Sequence, residues 1–242
     1  MPNTSIKVLT YNIHKGFTSF NKKYVLEKIR ESIRATDADL LCLQEVMGTG
    51  SAIKSQFEFI ADEMWPHFAY GKNATHSKGD HGNAILSKYP ITKWENLDIS
   101  TNRFEKRGLL YVQLEIPRKT TPLHVFCTHL NLLEGSRKKQ IIHLCEKIHE
   151  RVPPGEPLVL AGDFNDWREN LSVILKKSLN IEEAYQSLHG AHSPTYPSWL
   201  PKLRIDRVYH GHLKAKTVHY FEDKMWKELS DHLPVMADLE WL

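Results

Sequence analysis

The stretch Leu158-Val159-Leu160-Ala161-Gly162-Asp163-Phe164-Asn165 decides the reading of this chain. Four apolar residues predict a short buried strand, which runs directly into glycine, aspartate and asparagine. Residues two apart on an extended chain point the same way, so Asp163 and Asn165 present two polar groups to one side. Five further places repeat the theme: Tyr11-Asn12, Leu43-Gln44-Glu45, Cys127-Thr128-His129-Leu130-Asn131, Ile205-Asp206 and Ser230-Asp231-His232. His129 and Asn131 again share a side. Carboxyl ends of strands are where α/β folds place their ligands.

Each group alone has a structural explanation. Asn12 suits a turn, Glu45 a helix cap or a surface pair, His129 a satisfied core, Asp163 an Asx-turn and Asp231 a cap. Six such places in one chain point elsewhere. Gathering the carboxylates of Glu45, Asp163, Asp206 and Asp231 is costly without a cation or protonation. A hard divalent ion is the economical solution. Oxygen ligands from carboxylates and asparagine favour Mg²⁺ or Mn²⁺ over Zn²⁺.

Outward from these places, the pattern predicts alternating strands and helices interleaved with hairpins. Strands are expected at Ile6–Tyr11, Asp39–Val46, Phe68–Gly71, Asn83–Ser87, Ile91–Ile99, Leu109–Ile116 and Leu123–Thr128. More follow at Leu158–Ala161, Ile205–His210, Ala215–Tyr220 and Val235–Trp241. Helices are expected at Lys22–Ala35, Ser51–Met64 with Ser51 as N-cap, Ser136–Arg151 and Asn170–Ser178. Short turns imply antiparallel pairing, so the expectation is mixed sheets covered by helices. Lys72–Gly82 has no apolar periodicity and reads as a loop, either solvated or facing a substrate.

The chain has 242 residues, 41% of them hydrophobic and 25% charged, which fits one folded domain over residues 1–242. No apolar run is long enough to span a membrane. The start, Met-Pro-Asn-Thr-Ser, is unlike a signal peptide, so the cytoplasm is the expected compartment and a monomer the default state. Cys42, Cys127 and Cys145 are too few and too far apart for a disulfide framework and are expected reduced in the core. Walker A, G-x-S-x-G, H-E-x-x-H and paired C-x-x-C motifs are absent. The net charge is +3; without the four candidate site carboxylates the remainder is +7. That balance suits an anionic substrate.

The ordered set Thr10-Tyr11-Asn12, Leu43-Gln44-Glu45-Val46, Thr128-His129-Leu130, Gly162-Asp163-Phe164-Asn165, Ile205-Asp206 and Ser230-Asp231-His232 resembles the endonuclease/exonuclease/phosphatase superfamily. The longer opening, Thr10-Tyr11-Asn12-Ile13-His14-Lys15-Gly16, is similar to that of a small bacterial branch. The resemblance implies a deoxyribonuclease I-like α/β fold: a four-layer αββα sandwich of two mixed sheets with helices outside. It implies Glu45 as a metal ligand, Asn12 as a direct or water-mediated one, and Asp231 near the metal. It implies that Asp163 orients or deprotonates the attacking water, with Asn165 as its transition-state partner. His129 would contact the phosphate, and Asp206 would orient His232.

Arg107, Asn131, Tyr196 and Trp199 are expected to bind substrate. Arg107 precedes a strand where the superfamily often carries a phosphate contact. Tyr196 and Trp199 lie in a proline-rich segment leading into Asp206, where they either stack on a base or head group or pack the loop. The implied activity is divalent-metal-dependent hydrolysis of a phosphate ester in nucleic acid, a phospholipid or a small phosphorylated molecule. The signature Pro-Ala-Trp-Cys-Asp-Arg of the inositol phosphatases is missing before Asp206, and Val46 stands where abasic-site enzymes commonly have threonine. The alternative from another class is a catalytically silent module binding phosphate or protein on the same fold. Such a module is expected to have lost part of the catalytic set, and here every mapped position is filled.

Overall fold

Two six-stranded sheets face each other in the computed structural model, which describes residues 5–48, 55–76, 79–102 and 105–242. In the first sheet, β1 (Ser5–Asn12) and β2 (Leu40–Met47) run parallel, joined by helix α1 (Leu26–Ala35). A parallel pair needs such a crossover. The antiparallel neighbours are β3 (His67–His76) and β4 (Gly79–Ser87) on one side, and β11 (Leu213–Tyr220) and β12 (Val235–Trp241) on the other.

The second sheet repeats the plan. Strands β7 (Leu123–His129) and β8 (Leu158–Asp163) are parallel, joined by α3 (Glu134–His149). Strands β5 (Ile91–Asp98) and β6 (Gly108–Leu114) extend one edge, β10 (Asp206–Gly211) and the two-residue β9 (Glu182–Glu183) the other. Helices α2 (Gln56–Ala61) and α6 (Lys224–Lys227) join α1 outside the first sheet, while α3 and α4 (Leu171–Leu179) cover the second. The layers are thus helix, sheet, sheet, helix. A short α5 (Ala184–His189) closes one edge.

Period-2 alternation builds the middle of the sandwich. Ile6 and Val8 of β1, Leu40 and Cys42 of β2, Val125 and Cys127 of β7, and Val159 and Ala161 of β8 meet in one buried cluster. Their neighbours Leu9, Leu41, Phe126 and Leu160 point outward beneath the helices. Cys42, Cys127 and Cys145 are free and buried. No helix among the described residues is long and apolar enough to cross a membrane.

Several local expectations change. Much of Lys72–Gly82 is strand, because β3 and β4 continue as an antiparallel ladder to His76 and Gly79. The polar run is an edge ribbon, where pairing and not apolar periodicity sets the structure. Strands β4 and β5 do not form a hairpin: Lys88-Tyr89-Pro90 carries the chain from one sheet to the other. Helix α1 begins at Leu26, not Lys22. Ser51 lies outside the described residues, and Ser55 caps α2 in a reciprocal box with Glu58. The short β9, α5 and α6 offer too few residues for a readable period.

Gly162 has no substitute where it stands. Its φ is +147°, and an added Cβ would lie 2.0 Å from the Thr128 carbonyl oxygen of the paired strand. Gly162→Ala is therefore expected to cost about 3 kcal/mol in urea unfolding through backbone strain and clash. A loss under about 1 kcal/mol would show that β7 and β8 can separate cheaply.

Candidate active site

The sandwich is apolar in the middle and polar at one end. The inward alternation of β1 ends on Asn12, that of β7 on His129 and that of β8 on Asp163. Strand β10 runs antiparallel to β8, with Asp206 opposite Asp163. Strand β12 runs antiparallel to β1, so the segment before it, with Asp231 and His232, arrives at the same end. Glu45 needs a further device. The pairing of β2 with β4 slips between Leu43 and Val46, and Glu45 has a left-handed φ of 53°. This bulge leaves Gln44 facing inward, bonded to Thr10 and Cys127, and re-aims Glu45.

Asp163 is the hub. Its Oδ2 accepts from Asn12 Nδ2 at 3.2 Å and lies 3.3 Å from His129 Nε2 and 3.8 Å from His232 Nε2. Its Oδ1 accepts the backbone N–H of Asn165 at 2.9 Å. Asn165, at φ 50°, also donates its side-chain amide to the Leu130 carbonyl at 2.9 Å. His232 Nδ1 lies 2.9 Å from Asp206 Oδ2, which also accepts the Thr195 hydroxyl at 2.5 Å. Asp163, Asp206 and His232 bring their ligand atoms within 4.8 Å of one another. Asp206 Oδ2 is engaged by His232 and Thr195, while its buried Oδ1 has no partner among the described residues.

Burial and charge separate the two histidines. Burial lowers His129 to a pKa of about 4, against the pull of Asp163 and with the help of the Arg107 charge. Burial also works against charged His232, but Asp206, Asp163 and the bond to Asp206 prevail and raise it to about 10. Burial raises Asp163, opposed by His129 and His232, which suits a group that accepts a proton. Burial likewise raises Glu45, but His129, Lys15 and His232 overcome it and lower the carboxyl to about 2.

One consequence is measurable by NMR of the metal-free protein. In Asp206→Asn, the His232 imidazole is expected to titrate well below about 10. An unchanged titration would remove Asp206 as its partner. Folding raises this imidazole, so its stabilising contribution is full below ~6.5, the ordinary histidine value, and fades as pH climbs through the raised value.

The opening segment supplies two further residues, His14 and Lys15, whose type alone carries no signal of a role. His14 and Lys15 both adopt left-handed φ, 45° and 56°, with the His14 N–H bonded to Asn12 Oδ1 at 3.1 Å. Consecutive strained residues persist where the surroundings over-determine them. Here the strain sets the Lys15 ammonium 2.8 Å from Glu45 Oε2 and His14 Nδ1 3.5 Å from Asp231 Oδ1. The Glu45 carboxylate at the mouth thus already holds a cation. Glu45, Asn12 and Asp231 offer only oxygen donors, and Glu45 and Asp231 are about one-fifth to one-quarter exposed. That set fits a hard divalent ion retaining several waters.

The other candidates spread around this centre. Arg107, at the start of β6, pairs with Glu105 at 2.7 Å and sends its charge toward His129. Asn131 is fully buried; Gln140 holds its Oδ1 at 3.0 Å, and its Nδ2 has no partner among the described residues. The Tyr196 ring lies 4.9 Å from that of His232. Burial and the charges of Asp231, Asp163 and Glu45 raise its phenol. Trp199 instead stands half-exposed against Phe20, on the rim. Thr195, which braces Asp206, had no signal beyond its nearness to it in sequence.

A cavity of about 460 Å³ lies elsewhere, lined by Ser172, Lys176, Glu183, Gln186 and Tyr209 among others. Behind it Ser172 Oγ lies 3.0 Å from His192 Nε2, and His192 Nδ1 2.8 Å from Glu183. Ser172 is also bonded to Tyr209 and Arg207, and Arg207 to Asp166. These partners close the network on itself, so it reads as the buried brace of α4, β9 and β10.

Comparison with known proteins shows the family and the fold. Residues 9–232 match the model of the Endonuclease/Exonuclease/phosphatase family. The protein YbhP of Escherichia coli K12 is 43% identical over 97% of this chain and 96% of its own length. Human nocturnin is 24% identical over 71% of this chain and 43% of its own. The structure of an endonuclease/exonuclease/phosphatase from Bacteroides vulgatus superposes with a TM-score of 0.79 at 18% identity, covering 99% of this chain and all of that one. The two facing sheets, the polar end they share and the match along nearly the whole chain place it in one group: it belongs to the endonuclease/exonuclease/phosphatase family of hydrolases.

Proposed function

We propose that this protein is a divalent-metal-dependent phosphodiesterase in which water attacks phosphorus directly. The observation that carries the reading is Asp163: buried, raised in pKa, and ringed by Asn12, His129 and His232. Glu45, with Asn12 and Asp231, would hold Mg²⁺ or Mn²⁺. When bound, the ion neutralises charge on a phosphoryl oxygen.

Asp163 positions the water and takes its proton as the bond from phosphorus to the leaving oxygen breaks, and that oxygen takes a proton from solvent. His232, kept as imidazolium by Asp206, donates to a phosphoryl oxygen and neutralises charge there. His129 is neutral near pH 7 and contributes an N–H, not a charge. The spare Asn165 amide hydrogen and the unpartnered Asn131 Nδ2 are further donors, and Arg107 supplies positive charge beside His129. Tyr196 walls the site above His232.

The test is a panel of abasic, nicked and single-stranded DNA, RNA, phospholipids and phosphomonoesters, with Mg²⁺ or Mn²⁺. Metal-dependent turnover of a diester that vanishes in Asp163→Asn supports the reading. Metal-dependent turnover confined to monoesters would make the protein a phosphatase. Binding without any turnover would return it to the silent-module alternative.

A further inference from the structure

Large apolar side chains are exposed on four described segments that border the polar end of the sandwich. Phe20 follows β1, Leu132 and Leu133 follow β7, Trp167 follows β8, and Trp199 and Leu200 precede β10. Their exposures are 74%, 60%, 70%, 42%, 52% and 46%. The strand directions bring these segments to the end that holds Asn12, His129, Asp163 and Asp206. Phe20 and Trp199 join across the mouth, ring centres 5.9 Å apart. Trp167 lies over the Arg137 guanidinium, which donates to the carbonyls of Asn131 and Leu132, so the rim is tied to the floor.

Charge interleaves with this apolar rim. Lys22, Lys23, Lys139 and Lys202 are exposed beside it. The rim acids are already paired: Glu134 with Lys138 and Arg168, and Glu169 with Arg204. The free charge of the rim is therefore positive. Aromatic and leucine side chains flanked by lysines are the composition of a protein surface seated at a lipid interface. Leucines have no ring face to stack on a base, and half of the six rim residues are leucine.

We propose that the rim docks the protein on an anionic phospholipid bilayer with the mouth of the site facing the headgroups. The phosphate ester it meets there is a phospholipid's. This choice of substrate rests on the phosphoesterase reading above; the docking does not. The rim places apolar side chains in the interface, the lysines meet lipid phosphates, and no helix needs to span the bilayer.

The experiment is co-sedimentation of the full chain with phosphatidylcholine–phosphatidylglycerol vesicles and with phosphatidylcholine alone, without divalent metal. Wild-type protein is expected to bind the mixed vesicles at least about tenfold more tightly, and less so as salt rises. The pair Leu132→Ser/Leu133→Ser and the pair Lys22→Glu/Lys202→Glu are each expected to cut that binding about tenfold, with far-UV circular dichroism unchanged. Absence of vesicle binding by the wild type overturns the proposal, as does binding that neither pair weakens. Binding of single-stranded oligonucleotide lost in both pairs, with vesicles ignored, would assign the rim to nucleic acid and overturn it too. Vesicle binding without phospholipid turnover would leave the docking standing and count against the proposed reaction.

Discussion

Asp163→Asn is expected to lower turnover by roughly 10³-fold or more while the protein stays folded. The substitution keeps shape and burial but removes the charge and the proton acceptor. Oδ2 sits among Asn12 Nδ2 at 3.2 Å, His129 Nε2 at 3.3 Å and His232 Nε2 at 3.8 Å. An amide there cannot take a proton from water, and it no longer helps hold His232 as imidazolium. His232→Ala is expected to cost about 10²–10³-fold through a lost donor. The two losses should not add, because loss of the Asp163 charge also weakens the imidazolium of His232. Steady-state kinetics of the single and double variants check this, with thermal melting confirming the fold. A freely active Asp163→Asn protein would remove Asp163 from the chemistry.

Glu45→Gln is expected to weaken Mg²⁺ binding by at least about 100-fold, and activity with it. The bulge in β2 serves to aim this one carboxylate, which is held near pKa 2 and therefore charged at any working pH. Its resident partner is Lys15 at 2.8 Å, which an incoming ion must displace from Glu45. Lys15→Met should accordingly tighten metal binding, by about fivefold for so exposed a pair. Isothermal titration measures both. Equal Mg²⁺ affinity in wild type and Glu45→Gln would dismiss Glu45 as a ligand, and looser binding in Lys15→Met would show that the lysine assists the ion.

Much of this site was legible because it obeys a short period. Strands alternate strictly, so Val125-Phe126-Cys127-Thr128-His129 and Leu158 to Asp163 state which side chains face inward and that the last of them is polar. The pattern put Asp206 and His232 among the polar places, but their pairing came only through the family resemblance, since antiparallel return of β10 and β12 is a long-range pairing. The layered fold came the same way: alternation implied mixed sheets, but the face-to-face packing did not follow from it.

What stayed hidden had no period to show. The β2 bulge depends on a register slip between strands. The strained His14-Lys15 pair depends on two left-handed residues that carry side chains, which no turn residue announces. Lys72–Gly82 looked like loop because an edge ribbon is held by backbone pairing and its side chains need no apolar rhythm. The rim residues were scattered over four segments, and only the common strand direction gathers them at one end.

The central claim is direct attack of water on a phosphodiester at Asp163. Its sharpest test is the stereochemical course at phosphorus, read by NMR from hydrolysis of a chiral phosphorothioate diester in isotopically labelled water. A single in-line displacement predicts inversion of configuration. Retention would contradict the account, because it requires a covalent enzyme intermediate and two displacements.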